Sequence, residues 1–158
     1  MTTLFVDADA CPVTRDAISV ARAHHLGVVL VCDTTQNVSR HVRPGVDAVQ
    51  VTTGRDSADF AIIERLTRGD VVVTQEIGLA AMALGGGASA LSPRGRVFSL
   101  ATIDMELAVR HAEQRHRRAG GRTKGPSPFE DEDREHFVRS LEKVLEAGKS
   151  SDRPGAPA

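Results

Sequence analysis

The segment TLFVDADACPVTRDAISVARAHHLGVVLVC, residues 3–32, decides the architecture. Its ends are two short apolar runs, Thr3 to Val6 and Val28 to Cys32. Between them, Val13 to His25 has helical spacing, with Val13, Ala17, Val20, Ala21 and His24 on one side. Pro12 suits the first turn of that helix, and Gly27 ends it. The run Val28-Val29-Leu30-Val31-Cys32 is apolar at every position, the habit of a strand buried on both faces of a parallel sheet.

The same alternation continues outward. Asp33 to Pro44 is a polar loop, and Asp47 to Thr52 alternates in the manner of a strand nearer an edge. Asp56-Ser57-Ala58-Asp59 opens a helix whose stripe is Phe60, Ile63, Leu66 and Thr67. After the break at Gly69-Asp70, Val71-Val72-Val73-Thr74 is a second strand of the buried type. Ile77 to Leu84 is a short helix closed by Gly85-Gly86-Gly87, and Ala88 to Leu91 a last short strand. The expected fold is a three-layer α/β domain with a central, mostly parallel sheet of four to five strands and further helices at its C-terminal end. One helix is expected from Ile103 to Arg118, with Ile103, Leu107 and Val109 as its apolar positions. The other opens at the capping box Ser127-Pro128-Phe129-Glu130 and runs to about Ala147, with Phe137, Leu141 and Leu145 on one face. Residues 1–148 are expected to form one domain and 149–158 a disordered tail.

The chain's 158 residues suit a single core. No apolar run is long enough to span a membrane. Met1-Thr2-Thr3 leads straight into a strand without a basic stretch, which does not read as a signal peptide, so the expected location is cytoplasmic. Cys11 and Cys32 fit no zinc spacing. The net charge is −1, so any attraction to nucleic acid has to come from a local patch. The chain has 5 Phe and neither Tyr nor Trp, too few rings for a protein that grips single strands mainly by stacking.

The chemistry lies in carboxylates at strand ends. Asp7 and Asp9 close the first strand, and ligands of parallel α/β sheets bind at the carboxyl ends of strands. Two such charges repel unless a cation sits between them, which points to a divalent metal. The alternative is that Asp9 caps the helix near Pro12 while Asp7 bonds backbone amides. Asp56 and Asp59 form a second pair; a capping box explains both, yet their helix faces the same end of the sheet. Glu76 follows the strand ending at Thr74, either as a further ligand or as an acid at a helix N-terminus. Thr74 is a candidate phosphate contact or cap. The candidate catalytic set is Asp7, Asp9, Asp56, Asp59 and Glu76, with Asp7, Asp9, Asp59 and Glu76 as metal ligands. All-oxygen ligands suit Mg2+ or Mn2+ rather than zinc, and such ions serve phosphoryl chemistry.

Arg110, Arg115, Arg117, Arg118, Arg122 and Lys124 form a basic run interrupted by the single acid Glu113. Together with Arg94 in the loop Ser92 to Arg96, the residues from Arg115 onward are candidate contacts for nucleic-acid phosphates, RNA above all. A solvated helix face explains the run equally well. Cys11 lacks the arginine-bearing loop of a thiol phosphatase and reads as a packed residue.

The octapeptide Val6-Asp7-Ala8-Asp9-Ala10-Cys11-Pro12-Val13 resembles the signature of the YaiI/YqxD family of uncharacterised bacterial proteins. Asp56-Ser57-Ala58-Asp59, Gly69 to Thr74, Leu79-Ala80, Pro93-Arg94-Gly95 and Gly125-Pro126 agree with it in order and spacing. The resemblance covers about residues 3 to 147. It implies a PIN-like fold, an arrangement many of whose members are metal-dependent ribonucleases. It also implies metal-ligand roles for Asp7, Asp9 and one or both of Asp56 and Asp59. At Glu76 relatives more often carry an aspartate, so the charge is kept on a longer arm.

The leading expectation is therefore a Mg2+- or Mn2+-dependent nuclease acting on RNA. One alternative is a phosphatase of the haloacid-dehalogenase type, with Asp7 as nucleophile, Asp9 as acid/base and Thr74 on the phosphate. It lacks the lysine such enzymes need, since the first lysine is Lys124. The other alternative is a non-catalytic nucleic-acid-binding module.

Overall fold

The computed structural model describes residues 2–9, 11–33, 38–52, 57–123, 125 and 127–151. Five strands alternate with helices along the chain: β1 (Thr3–Asp7), α1 (Thr14–Ala23), β2 (Gly27–Asp33), β3 (Val46–Val51), α2 (Ser57–Ile63), β4 (Val71–Val73), α3 (Ile77–Gly85) and β5 (Ser89–Leu91). Two long helices follow, α4 (Leu100–Arg118) and α5 (Asp131–Ser151). A short 3-10 turn, Ser39–His41, lies between β2 and β3. The strands pair in the order β3-β2-β1-β4-β5, all parallel. The chain builds outward from β1 to one edge through β2 and β3, then returns to build the other side with β4 and β5. The gap between β1 and β4 is thus the topological switch point, where such sheets bind ligands.

The continuous apolar runs are explained by two cores. Alternate residues of a strand point to opposite faces. Leu4, Val6, Val28, Leu30, Val71 and Val73 face α1 and α5, where they meet Ala17, Ile18, Phe137 and Leu141. Phe5, Val31 and Val72 face the other way, onto Ile62, Leu79, Ala83 and Ile103. The expected stripe of α5, Phe137, Leu141 and Leu145, is buried. Among the described residues no helix is long and apolar enough to cross a membrane.

Several local expectations are corrected. The helix α2 ends at Ile63 and turns Ala61 and Ile62 inward, while Phe60 is 68% exposed. In seven residues, the face formed by Ala58, Ala61 and Ile62 (i, i+3, i+4) outcompetes the one through Phe60. Val109 of α4 is exposed as well. Gly27 does not end α1. His25 takes the left-handed position (φ 58), Leu26 N–H bonds Ala21 O at 2.9 Å, and Gly27 is already in β2. The helix α5 starts at Asp131 rather than at the Ser127 box, and Asp133 Oδ2 accepts the Glu130 N–H at 3.0 Å. That is one half of a capping box displaced by a turn. At its other end α5 runs on to Ser151, past the expected boundary at 148, and residues 152–158 lie outside the described ones.

Asp70, which the sequence marks only as a break, is a structural anchor. It is 3% exposed, and its carboxylate accepts the Thr3 N–H (2.9 Å), the Thr67 N–H (2.8 Å) and the Thr67 hydroxyl (3.0 Å). Asp70→Ala leaves both amides unpaired and is expected to cost about 2–4 kcal/mol in urea unfolding. A change below about 0.5 kcal/mol would show that water replaces the carboxylate.

Candidate carboxylate site at the switch point

Asp7 ends β1, and Thr74 immediately follows β4, its neighbour in the sheet. The Thr74 hydroxyl donates to Asp7 Oδ2 at 3.0 Å and accepts the Glu76 N–H at 2.9 Å. Its own backbone N–H bonds Leu91 O, so a residue 1% exposed ties β1, β4 and β5 together. Both functions of the hydroxyl are engaged within the protein, which makes Thr74 a support for Asp7 and Glu76.

Burial pushes the Asp7 carboxyl up from 3.8 to about 6. The Thr74 hydrogen bond opposes that rise, and the charges of Asp9, Asp59 and Glu76 add to it. These three acids come from the β1 loop, from α2 and from the start of α3, and their fields meet at Asp7. Asp9 does not cap α1, whose N-cap is Val13 without any side-chain bond. Instead Asp9 Oδ1 accepts the Asp33 N–H at 3.1 Å, reaching across to the end of β2. Glu76 sits at the N-cap of α3 with no side-chain cap bond, and its Oε2 accepts from Arg110 at 2.7 Å. Asp56 lies outside the described residues.

The donor set is all hard oxygen, as Mg2+ or Mn2+ requires, and burial together with the charges of Asp9, Asp59 and Glu76 raises Asp7. The residues fit the ion in kind and in charge. Among the described residues, however, no three His, Cys, Asp or Glu side chains are already drawn together around one point. The charges of Asp9, Asp59 and Glu76 reach Asp7, while Asp9 is bonded to the Asp33 amide and Glu76 to Arg110.

The helix α4 lies antiparallel on α3, since Ile103 packs with Ala80 and Ala83 while Arg110 meets Glu76 at the start of α3. From Arg110 to Arg118 the helix continues for about 12 Å. Its end therefore projects past the carboxyl ends of the strands, with Arg115, Arg117 and Arg118 exposed on it. Arg117 donates to Thr123 Oγ1, and Arg122 is exposed just beyond the helix. Lys124 lies outside the described residues. Arg94 is engaged elsewhere: it bonds Ser127 and Asp133 and lies 5.7 Å from the Phe129 ring centre, holding the start of α5. Arg110 was missing from the candidate set. It lies two turns from Ile103, and that spacing on the packed face was the available signal.

Burial pushes the Cys11 thiol up, and the residue is half-buried against the core of the α1 face.

A family model described as "Uncharacterized BCR, YaiI/YqxD family" matches residues 5–147. A UPF0178 protein of Exiguobacterium sibiricum is 42% identical over 142 residues, covering 90% of this chain and 95% of that one. A UPF0178 protein of Xanthomonas oryzae pv. oryzae is 42% identical over 144 residues, covering 91% and 89%. Among solved structures, Rae1 (YacP) from Bacillus subtilis is similar at 19% identity and a TM-score of 0.41, over 92% of this chain and 91% of that one.

Proposed function

We propose that this chain, which belongs to the YaiI/YqxD family of uncharacterised bacterial proteins, is a divalent-metal-dependent nuclease that acts on RNA. One observation supports the reading above the others: three acids from separate segments bear on Asp7 at the switch point of a parallel sheet. The PIN-like architecture implied by the sequence resemblance belongs to the same reading.

Asp7, Asp9, Asp59 and Glu76 would hold Mg2+ or Mn2+, which when bound supplies activation of water and neutralisation of the leaving oxygen. The chain's own residues prepare the site. Thr74 fixes the rotamer of Asp7 and the Glu76 amide through one hydroxyl. The Asp33 amide orients Asp9. Arg110 holds Glu76 at the rim, and the projecting end of α4 offers Arg115, Arg117 and Arg118 to phosphates without reading bases.

The test is calorimetric titration of manganese into the protein, followed by incubation with a mixed RNA pool in manganese or in EDTA. The expected result is saturable binding at or below roughly millimolar manganese, with cleavage in manganese alone. No binding in that range, with the pool intact, would overturn the nuclease and favour a non-catalytic nucleic-acid-binding module.

A further inference from the structure

Among the described residues, five arginines are paired with acids: Arg65 with Glu64, Arg94 with Asp133, Arg96 with Glu106, Arg110 with Glu76 and Arg134 with Asp16. Arg15, Arg40 and Arg43 differ. All three are exposed, and among the described residues none has a carboxylate partner. Arg40 and Arg43 nevertheless converge on His41, and the charge of Arg15 acts on the same ring. Arg40 Nε donates to His41 Nε2 at 3.3 Å, and Arg43 Nε donates to His41 O at 3.3 Å. The His41 ring is buried in the 3-10 turn. Its Nε2 acts as an acceptor, so the ring is neutral there. Burial, then the charges of Arg40, Arg15 and Arg43, hold that imidazole below its ordinary range. Like charges gathered around an uncharged ring repel one another, and an anion from outside would relieve the repulsion. Guanidinium forks match phosphate oxygens in geometry as well as in charge.

Their place in the fold says which anion. Arg15 is in the first turn of α1, just past the Asp7–Asp9 turn. Arg40 and Arg43 follow β2, whose last residue, Asp33, is bonded to Asp9. In the order β3-β2-β1-β4-β5 this crossover is on the β2 side of the carboxylates, and it ends at the opposite, amino end of the sheet, where Arg43 is bridged to Val46 at the start of β3. The α4 arm is attached on the other side, through Arg110 and Glu76. Across the sheet, the carboxylates therefore lie between this crossover and the α4 arm.

We propose that Arg15, Arg40 and Arg43 form a second phosphate-binding patch, which grips the backbone of a single-stranded RNA whose chain crosses the carboxylates to reach α4. The proposal rests on the RNA reading above and adds the path of the strand. It needs no base contact and no stacked ring, in keeping with a chain that has neither Tyr nor Trp.

The test is fluorescence anisotropy of a fluorescein-labelled oligouridine of about 20 nucleotides, long enough to span both surfaces, in EDTA, over a range of KCl concentrations. Arg15→Met removes a side chain that makes no bond in the described structure, so its fold should be intact. The triple variant with Arg40→Met and Arg43→Met is checked by circular dichroism. The slope of log affinity against log salt should fall by about 0.7 for Arg15→Met and by about 2 for the triple variant. Arg65→Met, whose partner is Glu64, should leave it unchanged. A slope equal to wild type in the folded variants overturns the patch, as does a wild type that binds no RNA. If inorganic phosphate binding is lost in the variants while the RNA slope is unmoved, the patch takes a free anion and the RNA proposal is overturned. Cleavage in manganese is scored separately. Binding with the predicted slopes but no cleavage removes the nuclease and keeps the patch; cleavage with an unmoved slope does the reverse.

Discussion

Asp7→Asn should make the metal-free protein more stable at neutral pH and leave it unable to cut RNA. The two effects have one cause. The Asp7 carboxyl rises from 3.8 to about 6 on folding because it is buried and faces Asp9, Asp59 and Glu76. A carboxyl raised in this way favours the fold while protonated. Its contribution is complete below about 3.8 and is lost as the pH climbs through about 6. At roughly 1.4 kcal/mol per pH unit, the ionised group costs about 2–3 kcal/mol at pH 7.5 after some solvent screening. Asparagine keeps an oxygen for the Thr74 hydroxyl and carries no charge. In EDTA at about pH 7.5 the variant should melt roughly 4–8 °C above wild type, and the gap should close near pH 4. On the proposed nuclease reading, RNA cleavage in manganese should fall by at least about a thousandfold, because a proposed ligand of the ion has lost its charge. Calorimetric melting at the two pH values, with a cleavage assay, reads both. A variant that is less stable than wild type at neutral pH, or that still cuts, would separate Asp7 from the site.

Gly95→Ala is the second large effect, and it concerns the fold alone. Gly95 has φ +89, and a Cβ there would lie 2.7 Å from His136 C, 2.8 Å from His136 O and 2.8 Å from Phe137 N. The obstacle is the backbone of α5, which cannot rotate aside as a side chain would. The loop from Ser92 to Arg96 is also pinned to that helix by Arg94 and by a bond between His136 Nδ1 and Arg94 O. Accommodating a methyl group means lifting α5 at Phe137, a fully buried residue. Left-handed backbone strain of about 1 kcal/mol adds to an overpacking cost of about 1–3 kcal/mol. The expected loss is about 2–4 kcal/mol, or a melting point lower by about 10 °C. Gly45→Ala is the control: φ is +87, but nothing lies within 4 Å of its Cβ. It should cost only the strain. Equal effects at the two positions would mean that the loop is not pressed against α5.

The sheet was legible because apolarity at every position of Val28–Cys32 and Val71–Val73 reports burial on both faces, a local property. The acids at strand ends were legible for the same reason: a parallel sheet brings the ends of its strands together whatever the loops do. What escaped depended on partners distant in sequence. The bond from Asp33 to Asp9 and the ion pair of Arg110 with Glu76 join segments that no periodicity relates. The capping box at Ser127 had the right spacing, but Arg94 claims Ser127 and the helix begins a turn later. Phe60 was misplaced because a short helix offers more than one plausible stripe. Arg15, Arg40 and Arg43 stand in different elements and become a group only through the buried ring of His41.

The seating of the last helix has a consequence for the order of events on the ribosome. The face of the sheet carrying Leu4, Val6 and Leu30 is completed by Phe137, Leu141 and Leu145 of α5. Arg134 and Asp16, His24 and Glu142, and His24 and Lys149 then join α5 to α1, the first helix made. A nascent chain that has finished its sheet at Leu91 still presents half of its core to water. The first strand is fully covered only once α5 has emerged, so this face closes later than the other. The opposite face, closed by α2 and α3, is ready much earlier. Folding on the ribosome should therefore proceed one layer at a time, with the α1 face open to chaperones until α5 is made.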